Sequence, residues 1–180
     1  MGCRHHPAAG EQYRCDTRWH ALGSIPASAL GVARITSGPW SEAEIVTFLD
    51  TTRIPVRLAT NGSSGPLVQS LWFVPQGLDL WCCTQRSSVL TRRLNRDDRV
   101  GFEVAGDTPP YRGVRGTGVA HVIDDDVEAT LRALIERYQG KERTALSDWL
   151  LGRIDSEVAI RIEPRTLATW DYSHRMGTSD

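Results

Sequence analysis

Hydroxyl and guanidinium side chains gather where a predicted strand gives way to a short basic helix. Arg86-Ser87-Ser88 follows the strand, and Arg92 and Arg93 stand on the helix. Backbone N–H groups at a helix start, hydroxyls and guanidinium groups all favour phosphate. This order of residues therefore predicts an anion site at the junction.

A purely structural interpretation stands beside the anion site. Ser87 or Ser88 can cap the helix, and capping uses the same geometry as phosphate binding. The basic residues can equally form a solvated helix face, with Asp97 and Asp98 balancing their charge. The sequence leaves both interpretations open.

Further residues carry the same ambiguity. Arg57 lies between apolar neighbours on a predicted strand, where it contacts a phosphate or a ring, or simply faces solvent. His121 is more typical of a structural strand residue than of a general base or haem ligand. Trp72, Trp81 and Trp149 are more typical of a core or an interface than of a cofactor stack.

Other kinds of catalytic site find no support in the sequence. No Ser/His/Asp triad, paired carboxylate site or phosphate loop stands out, and no acid or base residue is assigned. No metal site is predicted, because one N-terminal group fits no standard zinc spacing: Cys3, His5, His6 and Cys15. Cys82 and Cys83 are adjacent in a strand, so they point to opposite faces.

The composition is that of an ordinary globular protein. The 180 residues suffice for one domain with a substantial core. The net charge of -1 provides no basic field for nucleic acid. No apolar run approaches the roughly 20 residues of a membrane span, and the N-terminus lacks a signal-peptide core. We expect a cytoplasmic protein without nucleic-acid or membrane partners.

Hydrophobic periodicity predicts a small antiparallel barrel with helices packed at its ends. Six strands are expected at residues 54–60, 66–74, 78–84, 100–105, 113–123 and 158–162, with Pro164 bending the path before residues 167–170. Helices are expected at residues 41–50, 89–95, 124–140 and 143–152. Capping boxes are expected at Ser41 with Glu44 and at Asp125 with Glu128. Short hairpin links imply antiparallel pairing, and curling removes the open edges.

The periodic part of the chain suggests one domain at residues 39–173. Residues 1–38 have no clear period and are predicted to be a poorly ordered extension. An alternative is that translation begins near Val32. Residues 174–180 are predicted to be a tail.

With these elements assigned, a series of short motifs follows in a fixed order along the chain: Arg57-Leu58-Ala59-Thr60, Ser70-Leu71-Trp72-Phe73-Val74, Gly77 to Thr84, Ser88, Arg92-Arg93-Leu94 with Arg96-Asp97, Arg99-Val100, Tyr111 to Gly118 and Arg161 to Tyr172. By this order, residues 40–173 resemble the pyridoxamine 5'-phosphate oxidase-like family of flavin-binding split β-barrels. In particular, they resemble the actinobacterial members that use FMN or the deazaflavin coenzyme F-420.

The resemblance implies a six-stranded antiparallel split β-barrel of Greek-key type, mainly β with peripheral helices. It implies a homodimer with FMN or deazaflavin in a groove between two barrels. Residues expected to line the groove are Arg57, Leu58, Ala59, Thr60, Ser70, Leu71 and Trp72. Residues expected near the phosphate are Thr84, Ser88, Arg92 and Arg93, while Trp170 reaches the ring.

The activity that the resemblance implies is flavin-dependent oxidation or reduction of a small organic molecule. The cofactor then carries the redox step, so the lack of an assigned acid or base is no obstacle. The alternative is a non-catalytic member that binds a cofactor or haem through a degenerate phosphate site.

One position departs from the family pattern. Many members place a lysine two residues after the serine, whereas Leu90 follows Ser88 at that spacing here. A charge-assisted contact is worth roughly 1.5–3 kcal/mol, so its loss weakens Kd by about one to two decades. Arg86, Arg92 or Arg93 would then have to compensate.

Overall fold

The computed structural model describes residues 33–176, with residues 1–32 and 177–180 lying outside the described part. Eight strands are formed: β1 (Arg34–Ser37), β2 (Val56–Thr60), β3 (Leu67–Leu71), β4 (Val74–Gln76), β5 (Asp79–Gln85), β6 (Arg99–Ala105), β7 (Arg112–Ile123) and β8 (Glu157–Asp171). Five α-helices accompany them: α1 (Glu42–Thr51), α2 (Val89–Leu94), α3 (Val127–Gln139), α4 (Ala145–Leu151) and α5 (Ser173–Met176). A short 3-10 helix at Ile154–Ser156 precedes β8. None of these helices is long and apolar enough to cross a membrane.

The strands form one sheet in the order β3-β2-β6-β7-β8-β5-β4, in which every neighbouring pair is antiparallel. β1 lies off this path and pairs with β8 in parallel. The predicted mainly β, antiparallel architecture is confirmed, but the number of strands is eight rather than six.

The connection from β3 to β4 shows that the sheet curls. These strands lie at opposite ends of the strand order, yet only Trp72 and Phe73 separate them. Three residue steps span at most about 11 Å, so the two edges of the sheet must approach each other closely. The result is a split barrel.

The predicted continuous strand at residues 66–74 is therefore wrong. Phe73 is fully buried, and its backbone N–H donates to the Tyr138 hydroxyl at 3.3 Å. The Trp72 ring stacks on the Tyr138 ring with centroids 4.9 Å apart. Because α3 holds this pair in place, the chain leaves one edge of the sheet and joins the other.

Pro164 has less effect than expected, because β8 continues through it. Gly118 pairs with Pro164, whereas Thr117 pairs with Thr166, so Arg165 has no partner on β7. This bulge accommodates the proline without ending the strand.

The two predicted capping boxes have different outcomes. At α1 the Ser41 backbone N–H donates to Glu44 at 2.8 Å, and the Ser41 hydroxyl accepts from the Glu44 N–H at 3.4 Å, as predicted. At α3 the box of Asp125 and Glu128 is wrong, because Asp126 is the cap and makes no side-chain cap bond. Asp126 adopts φ of 59°, a left-handed conformation that aspartate tolerates better than most residues.

The first strand lies in a segment that was predicted to be irregular. Residues 34–37 were expected within the irregular extension but form β1, which pairs with β8 from Thr166 to Ala168. The rest of the predicted extension, residues 1–32, lies outside the described residues.

The inward faces of the strands form one hydrophobic core with α1 and α2. Leu58, Phe102 and Val104 alternate with outward residues on β2 and β6, and all three are buried. Ile45 of α1 and Leu90 of α2 are completely buried against them. The outward residues of the same strands remain available for a binding surface.

Candidate functional site

A groove of about 480 Å³ crosses the outward face of the sheet. Successive strand residues point to opposite faces, so the outward residues are those next to buried Leu58, Phe102 and Val104. Strand register arranges them in two rows that run across five strands. The charged row is Ser70, Arg57, Glu103, Arg115 and Ala168. The small row is Val68, Ala59, Gly101, Thr117 and Thr166.

The charged row places one carboxylate between two guanidinium groups. Arg57 Nη1 lies 3.3 Å from Glu103 Oε1 and donates to the Ala105 carbonyl at 3.2 Å. Arg115 stands in register on the other side of Glu103. The Arg57 and Glu103 side chains are 39% and 40% exposed, and such a pair contributes about 1 kcal/mol or less. Their remaining donors and acceptors can therefore serve a ligand.

Trp170 lies at one end of the charged row. The Arg115 guanidinium carbon is 5.8 Å from the centre of the Trp170 ring. The ring covers Gly113, where a Cβ atom would come within 2.7 Å of Trp170 Cζ2. Trp170 thus lies beside the groove without lining it, and its role as a ring contact stays a prediction.

A second groove of about 420 Å³ adjoins the first. The two grooves share Ala59, Gly101 and Thr117. Arg99 and Arg165 line the second groove, and each also meets a carboxylate. Arg99 donates to both oxygens of Asp97 at 2.8 and 2.9 Å, while Arg165 Nη1 lies 3.0 Å from Glu163 Oε1.

A buried hydroxyl, that of Thr60, and a carboxylate, that of Asp97, lie close to the second groove. The Thr60 hydroxyl is buried and has no hydrogen-bond partner within residues 33–176. Hydrogen bonds from Arg99 and Asn61 hold the pKa of Asp97 well below its usual value. Asp97 is therefore an anion at neutral pH and orients the Arg99 guanidinium at the rim.

The structure brings together part of the predicted cofactor site. Arg57, Ala59 and Thr60 line the grooves, and Ser70 lies beside Arg57 in the charged row. Leu58 instead belongs to the core. The alternation of β2 accounts for Arg57, Ala59 and Leu58, because only every second residue of a strand reaches the outward face. Thr60 has the same orientation as Leu58 and is buried, and it borders the second groove from the last position of the strand.

Leu71 and Trp72 do not join the groove. Leu71 packs against the hydrophobic core, and Trp72 stacks on Tyr138 of α3. Neither side chain lines the first or the second groove. The structural interpretation of Trp72 is thus the one observed.

The predicted phosphate cradle is bonded internally. The Ser88 hydroxyl caps α2 by accepting from the Thr91 N–H at 3.1 Å. Arg92 donates to the Ser87 carbonyl, and Arg86 pairs with Asp124. Thr84, Ser88 and Arg92 line neither groove. Ser88 thus caps the helix and Arg92 belongs to its basic face, as the structural interpretation of the sequence predicts.

Arg93 takes a different position from its neighbours. Its Nη1 atom donates to the carbonyl oxygens of Thr60 at 3.1 Å and Gly65 at 3.0 Å. A Cβ atom at Gly62 would lie 2.5 Å from Arg93 Cζ, so the guanidinium sits directly against the loop between β2 and β3. Arg93 thus holds a wall of the second groove.

Leu90, at the family's lysine position, is completely buried. Its side chain belongs to the core rather than to an anion site. None of the three arginines expected to compensate lines either groove, and each bonds to protein atoms instead.

The two cysteines of β5 are unsuited to thiol chemistry at neutral pH. Burial raises the pKa of the Cys82 thiol and raises that of Cys83 to about 12. Among residues 33–176, no group of three or more His, Cys, Asp or Glu side chains is arranged to hold a metal ion.

Most of the groove was missed by the sequence analysis. Among the missed residues are Arg99, Gly101, Glu103, Arg115, Thr117, Arg165, Thr166 and Ala168. A signal existed on β6, where Arg99, Gly101 and Glu103 alternate with buried residues. That alternation identifies an outward face but not which strands lie beside it.

The sequence and the fold are shared with known proteins. A family described as pyridoxamine 5'-phosphate oxidase matches residues 41–169. No curated protein matches the chain. Among solved structures, the conserved hypothetical protein Rv2991 from Mycobacterium tuberculosis is 29% identical with a TM-score of 0.67. That match covers 79% of this chain and 91% of the other.

Two more distant structures share the fold alone. An F-420 reductase is 21% identical with a TM-score of 0.57, and the match covers 72% of this chain and 97% of that one. The heme storage protein HutZ from Vibrio cholerae is 19% identical with a TM-score of 0.54, over 70% of this chain and 92% of that one.

Proposed function

The chain belongs to the pyridoxamine 5'-phosphate oxidase family, as its motifs predict, and on that premise we propose that it is a flavin-dependent oxidoreductase. It would use FMN or the deazaflavin coenzyme F-420 to oxidise or reduce a small organic molecule. The observation that carries the proposal is the outward groove, in which a floor of small residues lies beside a row of charged ones.

The groove fits such a cofactor on two structural grounds. Its floor contains Gly101, whose missing Cβ leaves the backbone of β6 open to a flat ring. The volume of about 480 Å³ is within the usual range of ligand pockets.

Five residues of the groove would contact or position the cofactor in this proposal. Ala59 and Gly101 would support the ring, and Arg57 and Arg115 would donate hydrogen bonds to its oxygen and nitrogen atoms. A bound flavin or deazaflavin supplies the hydride-transfer chemistry. Glu103 would hold both guanidinium groups in position, since it stands between them in register.

The phosphate of the cofactor requires a different anchor from the predicted cradle. Arg99 and Arg165 line the second groove beside the shared floor. Guanidinium groups bind phosphate well. The Arg99 and Arg165 side chains are 77% and 49% exposed, so a ligand can reach them beside their carboxylate partners. We therefore assign the anionic end of the cofactor to this second groove.

A homodimer is part of the same proposal. The outward face of one barrel would be covered by a second copy, which would exclude water from the ring. Trp170, Arg115 and half-exposed Tyr111 give the region the Trp, Tyr and Arg composition typical of interface centres. The cytoplasmic location stays a prediction of the sequence.

One observation favours a second candidate, a member that binds a cofactor or haem without catalysis. The buried Leu90 and the internally bonded cradle remove the anchor expected of a tight FMN enzyme. HutZ, a heme storage protein, has the same fold.

A titration of the purified full-length chain tests the main proposal. FMN and F-420 are added separately, and binding is followed by quenching of cofactor fluorescence. We expect saturable binding of at least one cofactor at concentrations up to about 100 μM. Failure of both cofactors to bind would remove the proposed function.

The same sample separates the enzyme from the storage protein. The bound cofactor is reduced chemically, and its reoxidation by a small quinone is compared with that of the free cofactor. An enzyme is expected to accelerate this reaction. A protein that binds the cofactor but slows its reoxidation would support the non-catalytic candidate.

A further inference from the structure

Gly101 is a glycine at a position where the strand would be more stable with a side chain. It lies in the middle of β6, paired with Ala59 on one side and Thr117 on the other. Glycine weakens the interior of a strand, because it loses more conformational freedom than other residues and packs no side chain. Strand stability therefore does not account for glycine at position 101.

Backbone strain and close packing do not account for it either. Gly101 has no left-handed φ angle. A Cβ atom built on it would lie 3.8 Å from the Ala59 Cβ and 4.0 Å from the Gly116 carbonyl oxygen, which are ordinary van der Waals distances. The structure of the chain alone therefore accepts a side chain at this position.

The glycines of the neighbouring strand behave differently. A Cβ atom at Gly116 would overlap the Thr166 carbonyl oxygen and come within 2.7 Å of Phe102 Cζ. A Cβ atom at Gly118 would overlap the Glu163 carbonyl oxygen. Packing inside the protein demands glycine at these two positions, whereas Gly101 is free of that demand.

The side chain that Gly101 lacks would project into the binding groove. Val100 and Phe102 on either side of it are buried, so position 101 points outward. Both grooves include Gly101 in their lining. The next outward residues along β6 are Arg99 and Glu103, and four residue steps place their Cα atoms about 13 Å apart. This leaves an open stretch of backbone with a charged residue at each end.

We propose that Gly101 is a cofactor-binding residue, at which the flat ring of the cofactor lies directly against the β6 backbone between Ala59 and Thr117. This inference rests on the proposed flavin function and goes beyond it by naming the residue on which the cofactor ring lies. The chemical class that fits is a planar heteroaromatic ring with hydrogen-bond acceptors at its edges. A side chain at position 101 would lift such a ring off its floor.

The test compares Gly101→Ala and Gly101→Val with Gly116→Ala in the full-length chain. Gly116 is the matched control, because it lies on the adjacent strand and its packing demands glycine. Three properties are measured for each variant: the thermal midpoint without ligand, the Kd for FMN and for F-420, and the oligomeric state by sedimentation.

The expected results distinguish a glycine that contacts the cofactor from a glycine that internal packing requires. Both Gly101 variants keep or raise the thermal midpoint, since alanine and valine suit a strand better than glycine. Gly101→Val weakens the cofactor Kd at least tenfold, and Gly101→Ala does so by less. Gly116→Ala lowers the thermal midpoint.

If the unaltered chain binds a cofactor, three results would overturn the inference. A thermal midpoint that falls as far in Gly101→Ala as in Gly116→Ala would make Gly101 a structural glycine. An unchanged Kd in Gly101→Val would place the ring elsewhere, while leaving the flavin function intact. A changed oligomeric state with unchanged cofactor binding would indicate that Gly101 lies in a protein interface rather than in the cofactor site. Absence of binding in the unaltered chain would instead refute the proposed function itself, and with it this role of Gly101.

Discussion

Arg93 on α2 donates from Nη1 to the carbonyl oxygen of Thr60 at the end of β2, at 3.1 Å. The same atom reaches the Gly65 carbonyl at 3.0 Å, so one guanidinium joins a helix, a strand end and the loop between β2 and β3. Arg93, which the family resemblance places near the phosphate, therefore stabilises a wall of the second groove.

Replacing Arg93 tests this structural role directly. Arg93→Ala is expected to destabilise the chain without ligand by about 1.5–3 kcal/mol, because two carbonyl groups lose a charged donor. Urea unfolding measures the change, with Arg92→Ala as the matched control on the same helix. Unchanged stability together with a cofactor Kd weakened at least tenfold would restore the phosphate role instead.

Arg57 is expected to act on cofactor affinity more than on stability. Its half-exposed pair with Glu103 contributes little to folding, whereas a charge-assisted bond to a ring oxygen is worth roughly 1.5–3 kcal/mol. Arg57→Gln should therefore weaken the Kd of the bound cofactor by about one to two decades. Fluorescence titration measures it, and Arg86→Gln, an arginine outside both grooves, should bind normally. Equal affinities in the two variants would remove Arg57 from the site.

Leu90→Lys is expected to damage the core rather than supply an anchor. Leu90 is completely buried, and an unpaired charge placed there costs several kcal/mol. The variant should lose more than about 3 kcal/mol of stability, whereas Leu90→Met should lose less than about 1.5 kcal/mol. Urea midpoints of the two variants measure the difference. A stable Leu90→Lys protein with tighter FMN binding would show that the position does face the phosphate.

Asp97 is expected to make stability depend on pH. Hydrogen bonds from Arg99 and Asn61 lower its folded-state pKa below the ordinary value of 3.8. An acid with a depressed folded pKa binds fewer protons when folded, so its contribution to stability is present above pH 4 and declines as the pH falls toward the folded value. Asp97→Asn should thus be less stable than the parent chain at pH 7, with the gap narrowing by pH 3.

The matched control for this pH series is Asp98→Asn, at an exposed neighbouring position. Urea unfolding of the parent chain and both variants is followed between pH 3 and pH 7. A gap for Asp97→Asn that stays constant over this range would mean that the pairing with Arg99 and Asn61 does not stabilise the charged form.

Local sequence patterns predicted much of the architecture. Alternation identified the two faces of β2, because a half-buried strand exposes every second residue whatever lies beside it. Ser41 and Glu44 indicated the start of α1, since a capping box needs only residues three apart. These features were predictable because their physical causes lie within a few residues.

Other features depend on contacts between distant residues. The end of β3 is set by Tyr138, which meets Trp72 and Phe73 from far along the chain. The continuity of β8 through Pro164 depends on the bulge opposite Gly118 of β7. No local pattern contains these partners, so the sequence predicted one strand too long and another interrupted.

The candidate site likewise combines features set by local sequence with features set by contacts between distant residues. The sequence by itself determined the family, the antiparallel barrel and the outward direction of Arg57 and Ala59, because motif order and strand periodicity are properties of the chain. Only the tertiary structure placed Gly101 beside Ala59, buried Leu90 and turned Arg93 toward Thr60. The physical reason is that a groove across five strands is made by their register, which hydrogen bonds between remote segments establish.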